Sequence, residues 1–518
     1  MSIGDVLAAQ ARQRPDTLAI VDGGRRLTFA DLEREVAGGA GWLHERGLRR
    51  GQAVLVFVPM SADLYVALLA MFRLGVTALF LDPSAGRAHI EQCCARWAPD
   101  ALLAIRSAHA LRLVSPALRR IPLKVAVGGW VPRTRSWPQR FGPAEVAAVP
   151  VEPADPALVT FTSGSTGVPK AAVRTHGFLL AQHRALAPSI ALEAGETDLA
   201  TLPVFTLANL ASGVTTVIPA VDLRRPGAVD AATLFAQINR ERVSRLTASP
   251  AFFEQLIAHG RAAGQTLPTL QKLHTGGAPV FPRLLAAMRE LAPRAHVVAV
   301  YGSTEAEPIA HIGVEEMSEA DQAAMRAGRG LLAGPPVREV KLRILRDRWG
   351  IPRKTMTREE FEAETRPVDA AGEIVVAGEH VLPGYLGAVG DEETKFRVAG
   401  EVWHRTGDAG QMDSRGRLWL LGRCTARIAD GHGELYPFTV ECVAMTFPEV
   451  RRAAVLAVRG RRLLVVEAPE QGSNLVERLQ PAVAWAHVDE IRFLAAMPVD
   501  KRHNAKIDYP ALLRRLGA

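Results

Sequence analysis

The residues Phe161-Thr162-Ser163-Gly164-Ser165-Thr166-Gly167-Val168-Pro169-Lys170 combine the groups that hold a polyphosphate. Glycines let backbone N–H groups approach an anion with no Cβ in the way, and the hydroxyls add donors. Lys170 supplies a point charge at the far end. The stretch is not a Walker A loop, because Val168 and Pro169 separate Gly167 from Lys170. An apolar run, Ala157 to Thr160, precedes it and a helix-forming segment, Phe178 to Leu186, follows. The pattern therefore predicts a phosphate cradle between a strand and a helix.

Further along, Tyr301-Gly302-Ser303-Thr304-Glu305 follows the strand-like run Val297 to Val300. Glu305 is a hard oxygen ligand suited to Mg²⁺, Thr304 can donate to a phosphate, and Tyr301 offers an aromatic face to a purine. Gly276-Gly277-Ala278-Pro279 interrupts an apolar pattern with a turn. Trp403-His404-Arg405-Thr406-Gly407-Asp408 ends on a carboxylate able to accept two hydroxyls, and Gly422-Arg423 follows. Near the end stands Pro498-Val499-Asp500-Lys501-Arg502-His503-Asn504-Ala505-Lys506-Ile507. Taken singly, each would read as a surface turn or a solvated charge.

The elements that must carry these residues alternate helix and strand. Thr28-Phe29-Ala30-Asp31 reads as a capping box before an amphipathic helix that Gly47 closes. Val54–Val58, Thr77–Leu81 and Ala101–Ile105 are fully apolar runs of strand length, with helices predicted over Ala62–Phe72 and Ala88–Trp97. Such alternation implies α/β architecture with largely parallel sheets flanked by helices. Glu315 to Arg329 reads as an exposed helix, and Arg346 to Glu364 as a charge-rich, mobile stretch. From Gly372 onward short β runs with turn signals take over. A boundary near Gly422-Arg423 divides a large domain, 1–422, from a small α+β domain, 423–518.

In order and approximate spacing, these motifs resemble those of the adenylate-forming superfamily, which includes acyl-CoA synthetases, luciferases and peptide-synthetase adenylation domains. The resemblance covers almost the whole chain. It implies an ATP- and Mg²⁺-dependent activation of a small-molecule carboxylic acid to acyl-AMP with release of pyrophosphate. It assigns Thr162, Ser163, Gly164, Ser165, Thr166, Gly167 and Lys170 to the phosphates, and Gly276, Gly277, Ala278, Pro279, Tyr301 and Gly302 to the adenine side. Asp408 and Arg423 go to the ribose, Thr304 to the α-phosphate and Glu305 to the metal. Lys506, on a small mobile domain, would bridge the carboxylate and the α-phosphate; Lys501 is its nearest rival.

Departures from the family pattern narrow the branch. Acyl-CoA synthetases usually carry a histidine after Pro-x-Phe, and here Thr206 follows Phe205. The usual hinge acid is replaced by Thr425, and Ala505 precedes Lys506. Asp82-Pro83-Ser84-Ala85-Gly86-Arg87, Ser249-Pro250-Ala251 and Arg502-His503-Asn504-Ala505-Lys506 resemble instead the olefin-pathway β-lactone synthetases, often labelled fatty-acid CoA ligases. That resemblance implies a long β-hydroxy acid whose own hydroxyl displaces AMP. CoA or a carrier protein is the alternative acceptor, and a catalytically decayed nucleotide sensor the remote one. Assembly with other enzymes of the pathway is a further expectation.

Bulk properties exclude other classes. A chain of 518 residues is too long for one core. The net charge of +8 and pI ≈ 9.6 read as scattered, solvated arginine, with no motif for nucleic acid. The most apolar region, Val54 to Leu81, is broken by Pro59, Asp63 and Arg73, so it predicts core and no integral membrane segment. Four cysteines without metal spacing, and no apolar leader after Met1, predict a reducing cytoplasm.

Overall fold

Continuous apolar runs dictate the first architectural feature of the computed structural model, which describes residues 3–142, 148–162, 169–468, 473–500 and 506–517. The chain divides into two units, one of residues 1–220 with 382–392, the other of 221–381 with 393–518. In the first unit, seven strands form one sheet in the order Arg135–Ser136, Leu123–Val127, Ala101–Ile105, Ala53–Phe57, Thr77–Phe80, Pro156–Thr162, Lys170–Thr175. All neighbours pair parallel except the last two. Every residue of Ala53–Phe57 is buried, as a strand covered on both faces requires.

Helices cover that sheet. Phe29–Glu45 starts at the capping box: the Asp31 N–H donates to Thr28 Oγ1 at 3.1 Å, and the Thr28 N–H donates to the Asp31 carboxylate at 3.1 Å. Ala62–Leu74 starts at Ser61 and stops at Gly75, whose φ of +67° a residue with a Cβ adopts only under strain. A smaller set of strands, Thr197–Ala200, Thr215–Val217, Leu18–Asp22 and Arg25–Thr28, belongs to the same unit.

One prediction about this unit is corrected. The strand Pro156–Thr162 is followed by a second strand, Lys170–Thr175, and the helix begins only at His176. The two strands run antiparallel with Thr162 opposite Lys170. The candidate phosphate loop therefore joins two arms of a hairpin, not a strand and a helix. Its residues Ser163, Gly164, Ser165, Thr166, Gly167 and Val168 lie outside the described residues.

In the second unit, Arg245–Ala248, Lys272–Gly276 and His296–Ser303 pair parallel, and Ala306–Gly313 folds back antiparallel on the last. A separate antiparallel sheet runs Leu331–Gly334, Leu418–Arg423, Glu401–Met412, Gly372–Ala377, Lys341–Leu345, with Lys395–Val398 also on Glu401–Met412. Its centre holds a buried ion pair. Arg405 meets the two Glu373 oxygens at 2.6 and 3.0 Å, and also donates to the carbonyls of Ile351 and Arg348. Arg353 reaches the same carboxylate at 3.3 Å.

The predicted exposed helix over Glu315–Arg329 is shorter, Glu319–Arg326, because Ser318 caps it, and its Asp321 is buried against Arg417 at 2.7 Å. The charge-rich stretch Arg346–Glu364 ends in a capped helix, Arg358–Glu364.

Residues 423–518 lie within the second unit and carry hydrophobic clusters of their own around Val455, Leu464 and Leu479, and around Leu456, Val465 and Leu512. Strands Arg452–Val458 and Arg461–Glu467 pair antiparallel, with Glu490–Leu494 parallel to the latter. Glu441 is buried on the helix Pro437–Ala444 and accepts hydrogen bonds from the Tyr509 hydroxyl at 2.5 Å and the Val455 N–H at 3.2 Å. Burial pushes its carboxyl up to about 7, against which the two hydrogen bonds work. Cys93, Cys94, Cys424 and Cys442 are buried free thiols.

Two outcomes follow from these buried groups. Glu373→Leu leaves Arg405 and Arg353 buried without their carboxylate, and it is expected to cost roughly 3–5 kcal/mol. The double variant Glu373→Leu/Arg405→Met should recover part of that; a single variant melting with the parent would refute the role. Glu441 keeps its proton in the folded chain up to about pH 7, whereas unfolded it ionises near 4.5. Between those values the folded state binds more protons, so stability falls as pH rises, by roughly 3 kcal/mol in total. Going from pH 5 to pH 8, the parent should lose more melting temperature than Glu441→Gln; equal losses would refute it.

Candidate functional site

In the second unit, the ends of neighbouring strands bring together residues far apart in the chain. Gly276 sits opposite Val300, and a Cβ there would come within 2.4 Å of the Val300 carbonyl oxygen, so only glycine fits. Gly277 follows at φ +80°, exposed, and Ala278 and Pro279 continue the turn toward the helix Pro282–Leu291. The strand carrying Val300 continues through Tyr301 and Gly302 to Ser303, and Thr304 and Glu305 form the tight turn back into Ala306–Gly313. Tyr301 and Gly302 thus belong to strand, where the sequence suggested a loop.

Asp408 is the centre of this group. Its carboxylate accepts from the Tyr301 hydroxyl at 2.8 Å on one oxygen and from Arg423 at 2.8 Å on the other. Asp408 and Arg423 face each other across the antiparallel pair, so sheet register fixes their meeting. The Asp408 N–H donates to Thr406 Oγ1, whose hydroxyl donates to the Ile374 carbonyl. Gly407, at φ +72°, leaves room for the Arg423 guanidinium and the Trp349 ring, either of which a Cβ would meet within 3 Å. A carboxylate has roughly four acceptor positions. Tyr301 and Arg423 take one each, which leaves acceptors for two vicinal hydroxyls.

Electrostatics keep each partner in one form. Burial, and then the Asp408 carboxylate, push the Tyr301 phenol well above its ordinary value, so it stays a donor. Asp408 pushes Arg423 upward. His404 is buried; desolvation, then Lys395, lowers it to about 3 despite the nearby Glu305 carboxylate, so the imidazole is neutral. Its Nδ1 lies 3.2 Å from the Thr394 carbonyl. A carbonyl only accepts, so the proton sits on Nδ1 and Nε2 is the acceptor.

Lys506 lies on a short antiparallel ladder. Its N–H donates to the Asp500 carboxylate at 3.0 Å, its carbonyl accepts from the Asp500 N–H at 2.8 Å, and Val499 bridges Ile507. The Lys506 side chain is exposed. Lys501 lies outside the described residues. In the first unit, Lys170 is buried, with its ammonium 5.7 Å from the Tyr385 ring centroid. Gly390 lets it pass: a Cβ there would come 2.4 Å from Lys170 Cε.

The sequence reading therefore meets the structure unevenly. Gly276, Gly277, Tyr301, Gly302, Asp408 and Arg423 converge within one unit. Thr162 and Lys170 are cross-strand partners in the other. The reading missed Thr406 and Gly407 as supports of Asp408, although both lie within the quoted motif. It also missed that Tyr301 holds Asp408 through its hydroxyl, a contact across 107 positions.

The family model described as AMP-binding enzyme matches residues 7–386. The olefin β-lactone synthetase of Stenotrophomonas maltophilia is 35% identical, over 96% of this chain and 94% of that protein. Its namesake from Xanthomonas campestris pv. campestris is 33% identical, over 98% and 96%. Among solved structures, the amide bond synthetase McbA from Marinactinospora thermotolerans superposes with a TM-score of 0.81 at 23% identity, covering 99% of each chain. ATP-bound MatB from Rhodopseudomonas palustris gives 0.79 at 19%, again covering 99% of each. These two show the shared fold. With a family match over most of its length and full-length relatives at a third identity, the chain belongs to the AMP-binding enzyme family and is an ATP-using, AMP-forming ligase.

Proposed function

We propose that this ligase activates a long-chain β-hydroxy carboxylic acid as its acyl-adenylate and then closes the product to a β-lactone. The observation that carries the reading is the pair of olefin β-lactone synthetases at 35% and 33% identity over nearly the whole chain. A rice 4-coumarate–CoA ligase-like protein matches at 27% over 90% of this chain. Thr206 supports the same reading. It is fully buried on the helix Pro203–Ala211, beside Tyr65, whose hydroxyl donates to the Pro203 carbonyl at 3.3 Å. No imidazole stands at that position to serve a thiol acceptor.

In the first half-reaction a carboxylate oxygen attacks the α-phosphorus of ATP and pyrophosphate leaves. The loop Thr162–Lys170 is proposed to hold the leaving phosphates, Thr304 the α-phosphate, and Gly276, Gly277, Ala278, Pro279, Tyr301 and Gly302 the purine side. Asp408 and Arg423 would hold the ribose, with Asp408 aimed by its two partners. Lys506 is proposed to neutralise charge at the reacting phosphorus, delivered by a small mobile domain of residues 423–518 that has its own hydrophobic clusters. Among the described residues no group of three metal-binding side chains occurs. Mg²⁺ takes one or two carboxylates and completes its shell from phosphates and water; Glu305 is the proposed carboxylate. When bound, the ion would neutralise polyphosphate charge.

In the second half-reaction the substrate's β-hydroxyl oxygen bonds to the acyl carbon, the acyl–phosphate bond breaks, AMP departs and the hydroxyl proton passes to a base. No second substrate enters. Holding nucleophile and electrophile in one molecule supplies the effective concentration that closure needs.

Incubating the protein with ATP, Mg²⁺ and a long β-hydroxy acid, with no thiol present, should yield AMP, pyrophosphate and a product lighter than the acid by one water. A product that forms only when CoA is added would replace this reading with an acyl-CoA ligase. Lys506→Ala should lower acid-dependent pyrophosphate exchange by roughly 10²-fold or more while leaving ATP binding within a few fold. An unchanged exchange rate would remove Lys506 from the chemistry.

A further inference from the structure

The net positive charge is unevenly placed along the chain. Residues 101–142 contain eight lysines and arginines and no aspartate or glutamate. That surplus equals the +8 of the whole chain, so the rest of the protein is neutral in sum. The segment forms the outer edge of the seven-stranded sheet: the strand Leu123–Val127, the edge strand Arg135–Ser136, and the helical turns between Arg106 and Arg120. Arg106, Arg119, Arg120, Arg133, Arg135 and Arg140 are exposed. Among the described residues, none of these six has a carboxylate at ion-pair distance.

Large apolar side chains protrude from the same edge. Leu113 is 81%, Trp130 70% and Val114 53% exposed, which is three of the six large hydrophobic residues exposed in the described chain. Backbone contacts draw them together. The Arg112 guanidinium donates to the Pro132 carbonyl at 3.4 Å, which ties the turn before Leu113 to the loop after Trp130. Arg119 donates to the Leu113 carbonyl at 2.9 Å, which sets a cation beside that side chain. Charge alone has a simpler use, since basic residues on an edge strand prevent edge-to-edge pairing. That use gives no reason to expose a tryptophan and a leucine at adjacent turns.

We propose that this edge is a docking surface for an anionic lipid bilayer. A tryptophan ring settles at headgroup depth, short apolar tips enter the acyl boundary, and surrounding cations are drawn to anionic lipid. An acidic protein partner would need a groove to cover Leu113 and Trp130, whereas these protrude. A nucleic acid would use the cations and leave the aliphatic tips in water. No helix among the described residues is long and apolar enough to cross a membrane, so the contact is peripheral. Such docking would bring the enzyme to the surface where long acyl chains partition, a consequence that rests on the proposed substrate; the docking itself does not.

The test is co-sedimentation of the full chain with vesicles of phosphatidylcholine alone or mixed with phosphatidylglycerol. Binding is expected to the mixed vesicles only and to weaken with added salt. Arg133→Glu/Arg135→Glu should weaken it by roughly tenfold or more, and Trp130→Ser/Leu113→Ser by several fold. Both double variants should keep the parent's melting temperature and ATP–pyrophosphate exchange, since these residues lie on the exposed edge and outside the proposed catalytic machinery. Equal binding to neutral vesicles, or none to either, overturns the proposal. So does vesicle binding that the apolar substitutions leave unchanged while double-stranded DNA competes fully, which would mark a general polyanion site.

Discussion

A charge with no access to water can stay in a protein only where its partner is fixed, and Arg405 is such a charge. It is 1% exposed, and both of its Glu373 contacts, together with two backbone carbonyls, must be present at once. Those contacts fix the register of Glu401–Met412 on Gly372–Ala377 and draw in the loop around Ile351. The registered strand then delivers the rest. Three residues beyond Arg405 lies Asp408, opposite Arg423 and within reach of the Tyr301 hydroxyl. A slip of one residue would turn Asp408 to the other face of the sheet. Asp408 is therefore placed by an ion pair with which it shares no hydrogen bond.

The last residues of the chain repeat the device on a smaller scale. Asp500 holds both the N–H and the carbonyl of Lys506 through its own side chain and backbone. Two residues later Asp508 starts a helix, and Tyr509 inserts its hydroxyl against the buried Glu441. The exposed lysine thus has a backbone gripped on both sides, while its side chain keeps its reach. On the proposed reading, a long side chain on a fixed backbone suits the role given to Lys506 at the reacting phosphorus.

What the sequence reveals follows from how local each signal is. The capping box at Thr28 and the apolar strands can be read directly, because each depends on neighbours within a few positions. The hairpin across Thr162 and Lys170 is hidden, because Lys170–Thr175 begins with a charge and two alanines and has little strand character of its own. Its place comes from pairing with Pro156–Thr162. Ser318 is a legible cap that the longer acidic pattern masked. The Tyr301–Asp408 bond could not be read at all, since its partners are 107 positions apart and each looks like part of a separate motif. The basic stretch 101–142 is legible as a run free of acids, whereas its place along one edge of a sheet comes only from the strand order.

On the proposed reading, the absence of an imidazole at position 206 is consistent with the rest of the chemistry. A ligase that passes its acyl group to an external thiol must admit a second substrate after adenylation, and it needs groups that receive and deprotonate it. A substrate carrying its own β-hydroxyl needs neither; it needs water kept away until the ring has closed, because water competes for the same acyl carbon. Thr206 is fully buried beside Tyr65, whose phenol burial pushes well above its ordinary value, so neither side chain supplies a base for an external thiol. A nucleophile already tethered in the substrate needs no such base at position 206 to reach the acyl carbon.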